Sequence, residues 1–503
     1  MAKENHYSTI VLGAGSGGLT VALGLAALGK PVALIERQAV GGDCTNVGCI
    51  PSKTLIHLAA EECDRPGNGS AVLAAVQAKR NQLRDIETDE VQHTEHLEFF
   101  HGTGRFTGPK QIEVTLDDGS TRMLTSDNIV IATGSRPTTL MIEGLPPERT
   151  LTNESLFELS QPPGHLAIVG SGPIALEMAF AFRDLGTQVT IVTLDDRVFN
   201  KSPEAASQTL HDALTERGIE VYYGATATGY NRVSATLTLK TPDGPVELAD
   251  VDTVLIAIGR TRNIDAIGLE RTRVSFDPKT GIPVDNFGRT NVPGIFAIGD
   301  VTPTSHWTHS ANAQGRRVVQ RIAFPWLPAF GREPLYPNAT FSNPEVANVG
   351  LMPEQIGRKY HPKLVKTVRF ELAETDKGYT EGLTRGFVQV YAVRLTGRML
   401  GATIVGPRAA EMISFFTLAL SEGISLYTLF RLVYPYPTHA GAIQKVADQY
   451  VRETLPAFHT ELFDLVRYGT ATLWQRLRGG EFELPATPQV QSNPKHTERV
   501  GVV

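Results

Sequence analysis

The residues with the clearest chemical potential are Cys44 and Cys49, five positions apart in the stretch GGDCTNVGCIPSK at residues 41–53. At this spacing two thiols can meet in a tight turn or in the first turn of a helix. A thiol at a helix N-terminus has a lowered pKa, which favours the nucleophilic thiolate. The spacing predicts redox chemistry and leaves two alternatives open, a buried pair of free thiols or half of a metal site.

Cysteine is scarce in this chain, with only three residues, the third being Cys63. This number excludes a small secreted scaffold held by disulfides and a zinc or iron–sulfur site with four cysteine ligands. Cys63 follows the motif on a predicted helix, where we expect a buried, inert thiol.

A glycine-rich turn with the pattern G-x-G-x-x-G occupies residues 13–18 and is typical of dinucleotide binding. Its first glycine permits a tight turn, its second lets a pyrophosphate approach the backbone, and its third lets helix and strand pack closely. Glu36 ends the next predicted strand, where a carboxylate can bind ribose hydroxyls. The candidate residues of the turn are Gly13, Gly15, Ser16 and Gly18. A glycine-rich turn without a ligand is the alternative.

The same pattern returns at residues 170–175, GSGPIA, with Gly170, Gly172 and Ala175 at the three small positions. Thr193 occupies the position where an acid favours NADH and a basic residue favours NADPH. Asp195 and Asp196 follow shortly after it and favour NADH slightly, so the choice between the two cofactors stays open. A second nucleotide fold without a ligand is the alternative.

Length and composition limit the classes of protein that fit. The 503 residues suggest roughly three domains, and 41% hydrophobic with 20% charged residues indicates a globular chain. A net charge of −6 gives no global basic field for nucleic acid or for acidic lipid. Residues 8–29 carry no charge but contain six glycines, so we predict neither a membrane span nor a signal peptide there, and we expect a cytoplasmic protein.

The order of predicted elements is that of an α/β protein with a repeated unit. The predicted strands are at residues 7–12, 31–35, 112–116, 129–132, 166–169, 188–193, 387–393 and 402–405. The predicted helices are at residues 19–28, from 52 to about 100 with a break at 66–69, and at 176–185, 411–420 and 443–452. Strand, turn, helix and strand thus occur twice, and a third region begins near residue 335.

The motifs together resemble the flavin-dependent pyridine-nucleotide disulfide oxidoreductases, a group that includes glutathione reductase, dihydrolipoamide dehydrogenase and mercuric reductase. The resemblance covers about residues 5–455. Its further motifs are ATG at 132–134, AIGR at 257–260, TNVPGIFAIGD at 290–300 and FSNPEVANVG at 341–350. It implies two Rossmann-like domains, for FAD and NAD(P), and a C-terminal α/β dimerisation domain.

The resemblance also implies the domain boundaries and an obligate homodimer. The expected parts are 1–152 and 285–334 for FAD, 153–284 for NAD(P), 335–455 for dimerisation, 456–484 as an extra helical segment and 485–503 as a disordered tail. The active site of such a protein needs both subunits.

The resemblance assigns roles to individual residues. Cys49 is expected against the flavin as a thiolate, Cys44 attacks the acceptor, and Lys53 pairs with Glu177 beside flavin N5. Electrons pass from NAD(P)H through FAD and the cysteine pair to a small acceptor. The alternatives are a solvated Lys53 and a Glu177 on an exposed helix face. Further cofactor-binding residues are Gly42, Thr45, Gly104, Thr133, Gly134, Gly259, Arg260, Asp300 and Thr308.

The sequence departs from the thiol-reducing members at the C-terminal acid/base. Tyr436 stands in the position of their histidine and Gly441 in that of their glutamate. Mercuric reductase shares the tyrosine, and a metal ion as acceptor needs less proton transfer than a disulfide. Mercuric reductases also carry a C-terminal cysteine pair, whereas this chain has no cysteine after Cys63. His439 is either a substitute base or an ordinary loop histidine.

The acceptor therefore stays open among mercuric ion, another soft metal ion, a quinone and a small disulfide. The function favoured is an NAD(P)H-dependent reductase similar to mercuric reductase. A dihydrolipoamide dehydrogenase, another thiol-disulfide reductase and a non-catalytic redox-sensing flavoprotein are the alternatives. We expect no resident metal, although His306 and His309 have a spacing at which they could share an ion. Residues 457–477 form an apolar stripe, expected against the protein's own dimer, with membrane contact as the alternative.

Overall fold

The computed structural model describes residues 5–62, 67–303, 307–327, 334–477 and 479–482. Our predictions for Cys63, His306 and the tail at 485–503 fall outside these residues.

The first unit of the fold is a parallel sheet with helices, as the repeated strand–turn–helix pattern predicts. Its elements are β1 (His6–Leu12), α1 (Ser16–Ala26), β2 (Val32–Glu36), α2 (Gly42–Asn46), α3 (Cys49–Glu62), α4 (Gly69–His93), β3 (Leu97–Gly108), β4 (Gln111–Leu116), β5 (Thr121–Ile131) and β6 (Ser135–Pro137). Strand β1 lies between β2 and β5, with Ile10 opposite both Ala33 and Ile129. Burial of β1 and β2 on both faces explains their continuous apolar runs.

The second unit repeats this plan. Its elements are β7 (Thr150–Leu151), α5 (Asn153–Leu156), β8 (His165–Val169), α6 (Pro173–Asp184), β9 (Gln188–Val192), α7 (Glu204–Glu216), β10 (Glu220–Tyr222), β11 (Thr226–Asn231), β12 (Thr236–Thr241), β13 (Gly244–Leu248), β14 (Thr253–Ile256) and β15 (Arg260–Arg262). A parallel sheet has the order β10-β9-β8-β14-β7, and β11-β12-β13 form a separate antiparallel sheet.

The chain then returns to the first sheet and builds a third unit. The elements are β16 (Ile295–Ala297), α8 (Thr308–Ala323), β17 (Asn338–Thr340), β18 (Val346–Gly350), α9 (Pro353–Lys359), β19 (Val365–Glu371), α10 (Asp376–Thr380), β20 (Phe387–Val393), β21 (Met399–Val405), α11 (Ala409–Glu422), α12 (Leu426–Arg431), α13 (Gly441–Thr454) and α14 (Phe458–Leu477). Strand β16 joins β5 in parallel, and the third unit has an antiparallel sheet, β17-β18-β21-β20-β19. None of the described helices has the length and apolarity to cross a bilayer.

Two helix contacts position the site. Leu55 and Ala59 of α3 belong to the same buried core as Leu176 and Ala179 of α6, so these two helices pack together. Helix α8 packs against α1, where a Cβ on Gly17 would lie 3.2 Å from the Ala311 carbonyl oxygen. The contact of α3 with α6 brings the residues after the cysteine motif to the second unit. The contact of α8 with α1 brings the start of α8 to the first glycine-rich turn.

The structure corrects several boundaries. The helical prediction to about residue 100 is wrong at its end, because α4 stops at His93 and Leu97 begins β3. Helix α6 begins at Pro173, inside the predicted turn, because proline is well suited to the first helical turn. The predicted boundary at residue 285 is also late, since Ile264 and Ile282 pack with Ile10 in the core of the first unit. Strand β7 pairs with β14, so the second unit starts slightly before residue 153.

Candidate active site

The first glycine turn has the shape required for a dinucleotide. Gly13 has φ +102°, and a Cβ there would lie 2.4 Å from the Ala132 carbonyl oxygen. A Cβ on Gly18 would lie 1.9 Å from the Gly13 oxygen, so only glycine fits. Gly15 by contrast faces open space, with the Gly42 Cα as its nearest neighbour at 3.9 Å. Helix α1 begins within this turn, at Ser16, so its N-terminus faces the space that a pyrophosphate needs.

A cavity of about 280 Å³ continues from this turn along the carboxyl ends of β1 and β2. Gly13, Glu36, Gly104 and Thr133 line it, four of the residues predicted to bind the first cofactor. The carboxylate of Glu36 accepts a hydrogen bond of 2.7 Å from the Ala14 N–H, which fixes it at the rim of the turn. These residues fit the adenosine half of FAD, with Glu36 available to ribose hydroxyls.

The second turn has the same geometry with one difference. Gly170 has φ +119°, and a Cβ there would lie 2.3 Å from the Ala257 oxygen, while a Cβ on Gly172 would meet nothing within 4 Å. Ala175 is fully buried in α6, so the third position of this turn accommodates a methyl group. The site therefore fits a second dinucleotide with its phosphates at Gly172. Gly259 lies at the neighbouring strand end, with φ +120° and open space around it.

The polar residues beyond β9 bear on the choice of nicotinamide cofactor. Thr193 is buried and donates a hydrogen bond of 3.0 Å to the Ser171 hydroxyl, so it does not face the ligand. Asp195 is half-buried and accepts hydrogen bonds from Ser171 (3.0 Å) and the Asn200 amide (2.7 Å). The carboxylate near the second turn therefore comes from Asp195, two residues beyond the predicted position.

The cysteine pair is formed by the start of α3 and the preceding short helix α2. Cys49 is the first residue of α3 and Cys44 lies on α2; both are half-buried free thiols. A hydrogen bond from Cys44 lowers the pKa of the Cys49 thiol to about 6, with further help from Thr308 and Lys53. The same hydrogen bond, together with burial, raises the pKa of Cys44. At neutral pH Cys49 is thus the thiolate and Cys44 holds the proton.

Thr308 lies closer to the cysteines than the sequence suggests. Its hydroxyl oxygen is 3.4 Å from the Cys49 Sγ, and it is the first residue of α8. The N-terminal end of a helix carries partial positive charge, which also favours a thiolate. Thr308 is therefore placed to stabilise the Cys49 thiolate. This role is additional to the flavin contact that the resemblance predicts for it.

Lys53 and Glu177 meet as predicted, across the contact of α3 with α6. The Lys53 Nζ is 2.7 Å from one carboxylate oxygen of Glu177, which is only 5% exposed. The other oxygen accepts a hydrogen bond of 3.0 Å from the Phe341 N–H, and the Lys53 ammonium lies over the Phe341 ring. The alternative of a Glu177 on an exposed helix face is therefore wrong, whereas Lys53 is paired with Glu177 and keeps a side chain that is 35% exposed.

Arg260 lies against the first unit, whereas its motif suggested a place in the nicotinamide part. It forms an ion pair with Asp43 beside Cys44, and its Nε donates a hydrogen bond of 2.7 Å to the Ser135 hydroxyl. The Arg260 Nε is also 3.8 Å from Asp300, which accepts a hydrogen bond from Ser135. Burial raises the pKa of Asp43, while Arg260 opposes this shift. The arginine thus joins the cysteine motif to both segments of the first unit.

A further carboxylate, Glu87 of α4, lies behind the cysteine motif. Thr45 donates a hydrogen bond to it, and burial raises the pKa of Glu87. One of its oxygens is buried with no hydrogen-bond partner among the described residues. A Cβ on Gly41 would lie 2.3 Å from this oxygen. Thr45 is thereby engaged with the helix behind the motif.

Tyr436 and His439, the two candidates for the missing acid/base, have different surroundings in the C-terminal loop. Tyr436 is 78% exposed. The His439 Nε2 lies 3.0 Å from a carboxylate oxygen of Glu381, and the His439 side chain is only 12% exposed. His439 is therefore paired with a carboxylate, as a catalytic histidine is, but its partner is a residue that the sequence does not single out.

A model of the pyridine nucleotide-disulphide oxidoreductase domain matches residues 7–315, and one of its dimerisation domain matches residues 336–447. The chain belongs to the pyridine nucleotide-disulphide oxidoreductase family. The predicted resemblance and the α/β fold with its C-terminal dimerisation domain are confirmed. This family membership establishes a flavoprotein oxidoreductase that uses FAD and NAD(P)H, and the dimerisation domain indicates a homodimer.

Relatives within the family carry different names. The chain is 32% identical over 457 residues to a dihydrolipoyl dehydrogenase of Corynebacterium glutamicum, covering 88% of this chain and 97% of that protein. It is 31% identical over 476 residues to a mercuric reductase of Streptomyces lividans, covering 90% and 98%. The solved structure of LpdA from Mycobacterium tuberculosis is 27% identical with a TM-score of 0.79, over 88% of this chain and 99% of that one.

The fold is also shared with the HOCl-induced flavoprotein disulfide reductase RclA of Escherichia coli. That structure, solved as a Cu(II) complex, has a TM-score of 0.80 and 24% identity, and covers 89% of this chain and all of that one. In the present structure, no cluster of three or more His, Cys, Asp or Glu side chains among the described residues could hold a metal ion. His309 instead lies 2.7 Å from the Pro337 carbonyl oxygen and stacks with Trp307.

Four residues of the site escaped the sequence analysis: Asp43, Glu87, Ser135 and Glu381. Asp43 adjoins Cys44, and an acid there is a visible signal, since a buried charge needs a partner. The other three lie far from the cysteines in sequence, and their roles follow from packing that no local pattern reveals.

Proposed function

We propose that the protein passes electrons from NAD(P)H through FAD and the Cys44–Cys49 pair to a soft metal ion, in the manner of mercuric reductase. FAD, when bound, supplies the exchange of electrons between the nicotinamide ring and the cysteines. The chain's own residues hold the pair beside the flavin site, through α3 and the start of α8. The observation that carries the proposal is the exposed tyrosine, Tyr436, in the position where thiol-reducing members place their acid/base.

The reduced cysteine pair holds one proton, on Cys44, and one negative charge, on Cys49. Reduction of a disulfide acceptor by Cys44 expels a thiolate that must be protonated, so a nearby acid speeds the step. Histidine suits this role because an imidazole both accepts and donates a proton near neutral pH, and the residue in its position here is Tyr436. A divalent soft metal ion instead binds the two sulfurs with release of the Cys44 proton. The two thiolates then give up two electrons to the metal as both metal–sulfur bonds break and the Cys44–Cys49 disulfide re-forms, so the metal leaves as the neutral atom and no leaving thiolate needs a proton.

Lys53 and Glu177 give the pair its electrostatic setting. The Lys53 ammonium helps lower the pKa of Cys49, while the negative Glu177 opposes this effect. Glu177 fixes the ammonium at 2.7 Å, and its second oxygen is held by the Phe341 amide. The ion pair thus keeps a positive charge near the thiolate and ties the first unit to the third.

The proposal is tested first by anaerobic titration of the oxidised protein with NADH and with NADPH, followed by visible absorption. We expect two-electron reduction to give a long-wavelength thiolate-to-flavin band, which Cys49→Ser removes. Steady-state turnover is then measured with mercuric ion and with lipoamide. Turnover of mercuric ion with little turnover of lipoamide supports the proposal, whereas the reverse overturns it. Bleaching of the flavin without the band means that the cysteines are not coupled to it.

A dihydrolipoamide dehydrogenase is the second candidate, and the His439–Glu381 pair favours it. Several relatives that are about a third identical carry this name, and a histidine held by a carboxylate 3.0 Å away is suited to proton transfer. On this alternative, His439→Gln and Glu381→Gln each reduce lipoamide turnover strongly. The Tyr436→Phe variant serves as the matched control, since the alternative gives its hydroxyl no role.

A further inference from the structure

Helix α14 lies beyond the matched dimerisation domain, which ends at residue 447, and is held to the third unit by one face. Glu461 is buried on this face and lies 2.8 Å from Arg394 and 3.4 Å from Lys366. Tyr468 stacks on His361 with a ring separation of 4.2 Å. Because a buried carboxylate is costly unless it is paired, these contacts fix the rotation of the helix about its axis.

The opposite side of α14 carries an exposed apolar face. At 3.6 residues per turn, its members fall within about a third of the helix circumference, roughly opposite Glu461. The residues of this apolar face are Leu462, Phe463, Val466, Leu473, Trp474 and Leu477. Their exposed fractions range from 40% at Leu462 to 72% at Leu477. A face of this size on a single helix exceeds the scattered apolar residues of an ordinary surface.

The charges of α14 are sorted between its two sides. Its two acids, Glu461 and Asp464, both lie near Arg394, at 2.8 and 3.9 Å. Its arginines within the described residues are Arg467 and Arg476, and both are exposed, with the Arg476 guanidinium 4.4 Å from the centre of the Tyr360 ring. The charges that α14 presents to its surroundings are thus positive.

We propose that α14 binds the surface of an anionic lipid bilayer, with its apolar face in the headgroup region. A helix with one apolar face bordered by arginines is the usual form of such an element. Two copies of the face would bring like charges together, whereas acidic headgroups supply the opposite charge. An amphipathic helix of this kind lies along the surface of the bilayer. This proposal does not depend on the identity of the electron acceptor.

The test is co-sedimentation of the FAD-loaded protein with vesicles of phosphatidylcholine, with and without phosphatidylglycerol. We expect binding to the anionic vesicles that weakens with salt. Val466→Glu places a charge in the apolar face and should weaken binding about tenfold or more. Arg467→Gln should weaken it about fivefold. Thr460→Glu, exposed on α14 outside the apolar face, controls for added charge on the helix and should have a smaller effect than Val466→Glu.

Tryptophan fluorescence gives an independent readout. Trp474 is one of three tryptophans and should shift to shorter wavelength when anionic vesicles are added. The Trp474→Phe variant should bind but lose the shift. Equal binding to neutral vesicles, or no binding to either kind, overturns the proposal. A larger oligomer that Val466→Glu disrupts also overturns it, because the face then belongs to a second copy of the chain. Retention of FAD by each variant shows that it is folded.

Discussion

The pKa of Cys49 should depend chiefly on the hydrogen bond that it accepts from Cys44, and Cys44→Ala removes this donor. Hydrogen bonds to charged groups contribute about 1.5–3 kcal/mol, and an S–H is a weak donor, so we take about 1.5 kcal/mol. This equals about one pKa unit. The pKa of Cys49 is about 6 in the unmodified protein. It should therefore rise to about 7 in Cys44→Ala, and the thiolate fraction at pH 7 should fall from about nine-tenths to about half.

The assay is alkylation of Cys49 by iodoacetamide as a function of pH, with the modified peptide quantified by mass spectrometry. The midpoint of the pH profile reports the pKa, whereas the rate alone does not, since nucleophilicity also changes with pKa. Cys44→Ser is the matched control, because its hydroxyl is a stronger donor than a thiol and should keep the midpoint near 6 or below. In the FAD-loaded protein, the long-wavelength band of the reduced form should weaken below about pH 6, as Cys49 takes up its proton.

Two results would refute this reasoning. If the midpoint of Cys44→Ala stays near 6, then the lowered pKa comes from Thr308, Lys53 and the helix start alone. If Cys44→Ser shifts as far upward as Cys44→Ala, then the sulfur of Cys44 matters for a reason other than its proton.

Three further changes test the surroundings of the pair. Lys53→Met leaves the Glu177 carboxylate buried without its cation, so the free energy of unfolding, measured in urea, should fall by about 3 kcal/mol. A fall of less than about 1 kcal/mol would contradict the importance of the pair. Arg260→Lys keeps the charge but loses the planar fork that binds Asp43, so the FAD dissociation constant, measured by flavin fluorescence, should rise about tenfold; an unchanged constant would count against this role. Burial raises the pKa of Glu87, so the folded protein loses stability relative to Glu87→Gln as pH rises through that pKa. Thermal melts from about pH 5 to pH 8 should therefore diverge in favour of Glu87→Gln, and parallel profiles would disprove the sign.

The motifs with a local physical meaning were predictable. Gly13 has a positive φ and Gly18 lies against the Gly13 carbonyl within one strand–turn–helix unit, so their spacing alone indicates the turn. The pairing of Lys53 with Glu177 depends on the packing of α3 against α6, and here only the family resemblance supplied the prediction. The place of Arg260 was misjudged because its motif follows the nicotinamide sheet in sequence, while β15 pairs with β6 of the first unit.

The boundary errors have a common cause. Residues 264–282 have apolar positions that suit either unit, and only the core containing Ile264 and Ile282 decides where they pack. Thr193 shows the same limit on a smaller scale. It occupies the expected position after β9, yet it is buried with its hydroxyl on Ser171, and the nearby carboxylate is that of the half-buried Asp195, which Ser171 also contacts. Sequence position predicts the strand end correctly, but not the hydrogen bonds that these side chains form.

The distribution of protons connects the site to the class of acceptor. Cys49 is largely ionised at neutral pH. Its negative charge is stabilised by Cys44, Thr308 and Lys53 of the same chain. The remaining proton lies on Cys44, and Tyr436 is a poor group to move it. His439 lies three residues further on, held by Glu381. If His439, with its Glu381 partner, does not reach the partner's cysteine pair in the working dimer, the site favours an acceptor that releases no thiolate, and a soft metal ion meets this condition. If it instead reaches the partner's cysteine pair, disulfide reduction becomes possible, and the contrast between His439→Gln and Tyr436→Phe with lipoamide separates the two cases.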